Sequence, residues 1–328
     1  MTTDAGHDAS STHDAMNAGD AIAPTSDASP GTDAAYVPLT WTPLTSGTSE
    51  ALLGVWGSGS ADVFVVGTEG TILHSTNGGS TWTLEVSGST EYLASVWGSG
   101  PGDIYVTGGS NVLHSSDGSS WSALGITNGG TFASVWGASA SEVYLAGGAG
   151  GIDNVWRSTT GGTTWIEPYN SGGGEEVPFL ALWGPGPGDV YVVGEKGLTW
   201  YSTNEGALWA AEGYGLTNAM ALVAIWGANA NNVYAVGSVG SLVHDTDANL
   251  VWTTLTSGTT ADLNGVWGSG PNDVYVVGNS GTVLHSVDGI AWTPLTSGTS
   301  VALNAVWGSG PTDVYIVGGS GTILHGHT

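Results

Sequence analysis

The sequence predicts an all-β protein: a seven-bladed β-propeller closed by an N-terminal strand that completes the last blade, preceded by a flexible acidic arm. Three observations carry this. The dipeptide Trp-Gly recurs at Trp56, Trp97, Trp136, Trp183, Trp226, Trp267 and Trp307, at spacings of 41, 39, 47, 43, 41 and 40 residues. That period belongs to four-stranded propeller blades and to helical HEAT-type pairs. The chain between these pairs reads as short runs of Val, Ile, Tyr, Trp and Thr bounded by Gly, Pro, Asn and Asp, which is strand and turn chemistry. With 56 glycines and no sustained 3.6-residue periodicity, the helical alternative fails. Finally, "WTPLTSGTS" at 41–49 is repeated without change at 292–300.

Residues 1–36 are compositionally separate. Ala, Asp, Ser, Thr and Gly dominate, with six Asp, and such a segment buries too little apolar area to offset its chain entropy. It is expected to be disordered when alone. His7 and His13 are read as solvated tail residues rather than a metal site. The start of the chain has no positively charged or apolar run, so no signal peptide is visible, and no stretch is apolar for the 18 residues a membrane span needs. With no cysteine, disulfides and thiolate chemistry are excluded.

Residues 37–328 are the predicted propeller. Each unit reads as four strands: "LNGVWG", the turn "SGPND", "VYVVG", a Gly-centred turn, "TVLHS", a loop "VDGIA", and "WTPL". The last unit supplies only its first three strands, and its fourth stands at Trp41. Joining the two termini in one sheet leaves no blade incomplete. The 16 tryptophans follow the repeat. Seven belong to the Trp-Gly pairs, seven open fourth strands (Trp41, Trp82, Trp121, Trp165, Trp209, Trp252, Trp292), and Trp156 and Trp200 take a third-strand position held elsewhere by Leu73 or Leu284. Packing between blades is their expected role.

The loops before the fourth-strand tryptophans, "STNGGSTW" at 75–82, "STTGGTTW" at 158–165 and "STNEGALW" at 202–209, resemble the Asp-box pattern, with shorter forms at 115–121 and 286–292 and a degenerate one at 245–252. Together with "GTILHST" they resemble the Asp-box, or bacterial neuraminidase repeat, propellers, and within these the photosystem II assembly-factor type. The resemblance implies the propeller fold, and a hairpin-closing role for Asn77, Asp117 and Asp288. It does not carry an activity over. Sialidases of this fold hold a carboxylate with three arginines, whose planar forks match it, and this chain has one, Arg157.

The charge is −26, with two basic residues, Arg157 and Lys196, against 28 acidic ones. Nucleic acid and anionic membrane are therefore poor partners, and basic proteins, neutral glycans or divalent cations are the plausible ones. His74, His114, His244, His285 and His325 share one third-strand slot with Arg157 and Tyr201. Seven-fold placement sets them too far apart for one metal, and they are expected to hydrogen-bond at strand edges or between blades. Asp62, Asp103, Glu142, Asp189, Asn232, Asp273 and Asp313 recur at the first turn, where they are expected to cap turn N–H groups. No cofactor is expected; Ca²⁺, which needs six to eight converging oxygens, is the one alternative.

These readings point to a non-catalytic binding or assembly module, exported or at a bacterial cell surface. The alternatives are a glycan-binding lectin or weakly marked glycoside-active enzyme, and a fibre subunit whose arm docks on the next protomer. The expected contact surface is where the repeat is irregular. Most blades run 15 residues from fourth-strand Trp to the next Trp-Gly, but 165–183 takes 18 and 209–226 takes 17. The second turn of blade three is also lengthened, at 147–154. Loops carry function on rigid scaffolds, so the candidates are Asp153, Asn154, Tyr169, Asn170, Glu175, Glu176, Glu195, Lys196, Glu212 and Tyr214.

Overall fold

A computed structural model of the protein describes residues 38–126, 130–149, 152–170, 178–212, 220–246 and 251–328. The acidic arm, Glu175, Glu176 and Tyr214 lie outside them. The described residues form seven four-stranded antiparallel sheets. Blade one is typical: Leu52–Gly59, Asp62–Gly67, Ile72–Ser75 and Thr83–Leu84. Blade seven takes Leu303–Gly310, Asp313–Gly318 and Thr322–His327 from the end of the chain and Thr40–Thr45 from its start. Trp41 stands opposite Gly326 and Leu44 opposite Ile323. A Cβ on Gly326 would lie 2.5 Å from the Trp41 ring, so this glycine makes room for the closing strand.

The second strands are the cores of the blades. Val63, Phe64, Val65 and Val66 are all fully buried, as expected of a strand covered on both faces by neighbouring sheets. The Trp-Gly pair explains how those sheets approach. Each tryptophan reaches forward and covers the glycine of the next blade's pair: Trp56 on Gly98, Trp97 on Gly137, Trp136 on Gly184, Trp183 on Gly227, Trp226 on Gly268 and Trp267 on Gly308. Trp307 covers Gly57 and completes the circle, and a Cβ on Gly57 or Gly98 would sit 2.5 or 2.6 Å from an indole carbon. The glycine is conserved across the seven units because the preceding blade occupies its side-chain space.

The second-strand aromatic is the hub of each interface. Phe64 packs against Trp56 and His74 of its own blade and meets Trp121 of the next edge-on, ring centroids 6.3 Å apart. Tyr234 repeats this with Trp226, His244 and Trp292. The first strands line a central channel whose wall includes Leu53, Leu180, Val223, Asn264 and Asn304. The two asparagines donate their amides to the carbonyls of Leu303 and Leu52 in the following blades, at 2.9 and 2.7 Å.

Loops fall into two sets. The first turn and the strand-three-to-four loop lie together, since Gly78 N donates to Ala61 O at 3.1 Å; this is the turn face. The strand-two-to-three turn meets the blade connection, since Gly70 N donates to Glu91 O at 2.8 Å; this is the connection face. The outer strands are short, and Pro43 and Pro294 remove donors from two of them, which blunts the exposed edges.

Candidate functional site

On the turn face, the two rings of polar residues prove to be one device. In four consecutive blades, six, seven, one and two, the third-strand histidine bonds the first-turn aspartate of its own blade. The Nε2–Oδ1 distances are 2.6 Å for His285–Asp273 and His325–Asp313, 2.7 Å for His74–Asp62 and 2.8 Å for His114–Asp103. A serine donates to the other carboxylate oxygen: Ser58 to Asp62 and Ser99 to Asp103 at 2.5 Å, Ser309 to Asp313, and Ser269 to Asp273. This removes one of the two alternatives expected of the histidines and corrects the expectation for the aspartates. The histidines bond within a blade, not between blades, and the aspartates receive side chains rather than capping turn N–H groups. Strand register is the reason, because Phe64 faces His74 and Asp62 begins that same second strand. The aspartate bridges serine and histidine here, so the histidine is not placed to take the serine's proton.

Blades three to five depart from this device. In blade three Glu142 accepts from Arg157 Nη2 at 2.9 Å and Nε at 3.2 Å, and from Tyr144 Oη at 2.7 Å. Arg157 also reaches blade four, with Nη1 3.0 Å from Glu205 Oε2. The guanidinium is buried and doubly paired, so it ties two blades together rather than presenting a carboxylate-binding fork. Burial, with Glu142 beside it, pushes the Tyr144 hydroxyl well above the usual phenol range. In blade four Tyr201 stacks on Tyr191, centroids 4.1 Å apart. In blade five the partner of His244 is replaced by Asn232; His244 Nε2 and Asn232 Oδ1 are both buried without a partner, and burial lowers the imidazole to about 4.

The strand-three-to-four loops are closed by the side chains the repeat pattern singled out. Asn77 Oδ1 accepts from Thr81 N at 2.9 Å. Asp117 Oδ1 accepts from Ser120 N and Ser119 N at 2.7 and 2.8 Å, and Asp288 Oδ1 from Ala291 N and Ile290 N at the same distances. These backbone donors, Ser120 ahead of Ser119 and Ala291 ahead of Ile290, hold the two exposed carboxyls below the usual range.

Among the described candidates, Asp153, Asn154, Tyr169 and Asn170 come together on the third and fourth strands of blade three, Asn154 opposite Asn170. Asn154 is buried in the third strand of blade three, out of reach of a macromolecular partner. Tyr169 lies among Phe179, Trp200 and Trp209, 5.3 to 5.8 Å between centroids, and packs blade three on blade four. Asp153, Asn170 and Glu212 stand on strands, opposite Gly148, Asn154 and Thr199. Glu195 and Lys196 are exposed on the connection face. Their turn is regular in shape: Lys196 has φ +55°, as Glu69, Val239, Ser280 and Ser320 have +53° to +59° in the same turn of other blades. Among the described residues no cluster of three His, Asp or Glu side chains is arranged to hold a metal ion. Sequence reasoning missed the Arg157–Glu205 bridge. Its signal was a glutamate at 205 where the matching loops carry Gly78 and Gly161.

No protein-family model matches the chain, and no curated protein matches it in sequence. Its fold is shared with solved structures. YCF48 bound to a D1 peptide superposes with TM-score 0.73 at 17% identity, covering 89% of this chain and 98% of that one. A virginiamycin B lyase from Staphylococcus aureus gives TM-score 0.76 at 11% identity, covering 88% and 99%. The GH74 enzyme of Niastella koreensis gives 0.68 at 16% identity, covering 87% of this chain and 53% of its own. At these identities the likeness is one of fold.

Proposed function

We propose that the chain is a non-catalytic binding and assembly module, exported or displayed at a cell surface, that engages a basic protein partner. The observation that carries this is the repetition of the His–Asp–Ser device in four blades. A reacting site needs one special constellation, whereas groups that recur from blade to blade serve the repeat. The side chains best suited to acid–base work are therefore engaged in holding the strands of each blade, while Arg157 ties two blades together. The charge of −26 favours a cationic partner and accelerates its capture. The fold neighbour YCF48 is bound to a peptide, which supports a protein partner on such a scaffold.

The test is a binding panel on the purified full chain, with cationic peptides, acidic peptides and an array of neutral glycans. Cationic peptides should bind at low salt and weaken steeply as ionic strength rises. Retention of neutral glycans, indifferent to salt, would instead establish the lectin reading, which the fold likeness to a GH74 enzyme favours. A fluorogenic sialoside should be released no faster than in buffer; enzymatic turnover would overturn the non-catalytic reading. Surface labelling of intact producing cells checks the location.

A further inference from the structure

Two pairs of strand-three-to-four loops are built alike yet differ in one respect. Loops one and four have equal length, and the same bond closes each: Thr81 N to Asn77 Oδ1 at 2.9 Å, and Leu208 N to Asn204 Oδ1 at 2.8 Å. Loops two and six are also equal, each closed by an aspartate accepting two N–H groups at 2.7 and 2.8 Å. The backbone device thus works with hydroxyl side chains in blades one and two. In blades four and six the same positions carry Leu208, Val287 and Ile290, exposed to 74%, 55% and 68%. In blade five Val251, just before its tryptophan, is 66% exposed, while the matching Thr164 of blade three bonds its own loop through Thr160. The fold does not require these apolar residues, and water penalises them. Of the exposed large apolar side chains, these four occupy one loop type on three consecutive blades, which marks a contact surface.

The electrostatic setting selects the occupant. Asp288 is exposed in loop six, and Arg157, the cation of this face, is buried and paired with Glu142 and Glu205. Lys196 is on the opposite face. A second copy of the chain would bring acid against acid, and an anionic membrane would be repelled. We propose that the exposed apolar residues Leu208, Val251, Val287 and Ile290 of blades four to six form the docking surface for a basic, amphipathic segment of a partner protein. Its apolar side chains meet Leu208, Val251 and Ile290, and its lysines or arginines meet Asp288. This rests on the binding-module reading and adds the place and the chemistry.

The probe is a fluorescein-labelled amphipathic peptide of leucine and lysine, titrated with the full chain at 0.15 M salt, order of a physiological ionic strength, and read by anisotropy. Leu208→Ser, Val251→Ser and Ile290→Ser combined should weaken binding by about tenfold or more and leave melting unchanged. Leu84→Ser with Val86→Ser, equally exposed on blade one, should leave affinity unchanged. Equal binding by the parent and the triple variant would overturn this surface while leaving a binding module intact. No binding by the parent would overturn both. Concentration-dependent dimerisation of the parent, absent from the triple variant, would assign the surface to a second copy and also overturn the proposal.

Discussion

Burial lowers the His244 imidazole to about 4 because Asn232 faces it where four other blades place an aspartate. The unfolded chain protonates this residue near 6.5, its ordinary value, and the folded chain only near 4. The fold is therefore at full strength above that window and loses stability as pH falls through it, by roughly 3 kcal/mol at the low end. Asn232→Asp should restore the pairing of the other blades, raise the imidazole's titration in NMR, and flatten this part of the acid-melting curve; an unmoved titration would refute the account. Arg157 makes the opposite case. Arg157→Ala leaves the partly buried Glu142 without its cation and should cost about 3 kcal/mol in denaturant titration. Glu205→Gly removes a largely exposed partner but also relieves a φ of +65°, and should be neutral to within about 1 kcal/mol.

At the scale of the element, the closing strand Thr40–Thr45 is the longest outer strand among the described residues, in register with the last strand over six residue pairs. Deleting 37–46 strips the edge of blade seven and uncovers Gly326, and should lower stability by several kcal/mol, on the order of a lost core tryptophan. Appending "WTPLTSGTS" after Thr328 with a linker should recover it, and calorimetry of the two variants decides. This closure was legible in the sequence because the same nine residues stand at 41 and at 292. The His–Asp device was only half legible. Both rings were visible, but pairing Asp62 with His74 requires the register of a hairpin, which spacing alone does not supply. The candidate surface was least legible, because irregular loop length in blades three and four does not reveal that Asn154 points inward or that Tyr169 is packing. The apolar substitutions at Leu208, Val251 and Ile290 emerge only when loops of equal backbone geometry are set side by side.

Across the whole molecule, like charge opposes compactness. Few cations offset the 28 acids, so the melting temperature should rise between about 10 mM and 150 mM salt as self-repulsion is screened; a flat response would mean the carboxylates are already neutralised by bound cations. Against this repulsion stands the circle of indoles on glycines. Gly98→Ala would drive a methyl group into Trp56 and should cost about 3 kcal/mol, and any other member of the circle should respond alike. That equivalence has a consequence for assembly. Every blade offers the same plug and the same socket, so neighbours cannot be told apart by this contact, and a chain built from it alone could close after slipping by one unit. Rings form from such head-to-tail joints wherever the rotation happens to close. The Arg157–Glu205 bridge is made across the joint between blades three and four and has no counterpart among the other described ion pairs. It acts as an index mark on an otherwise uniform dial. Circular permutants opened at the regular joints should therefore close in register, whereas one opened between blades three and four must find its phase without the mark.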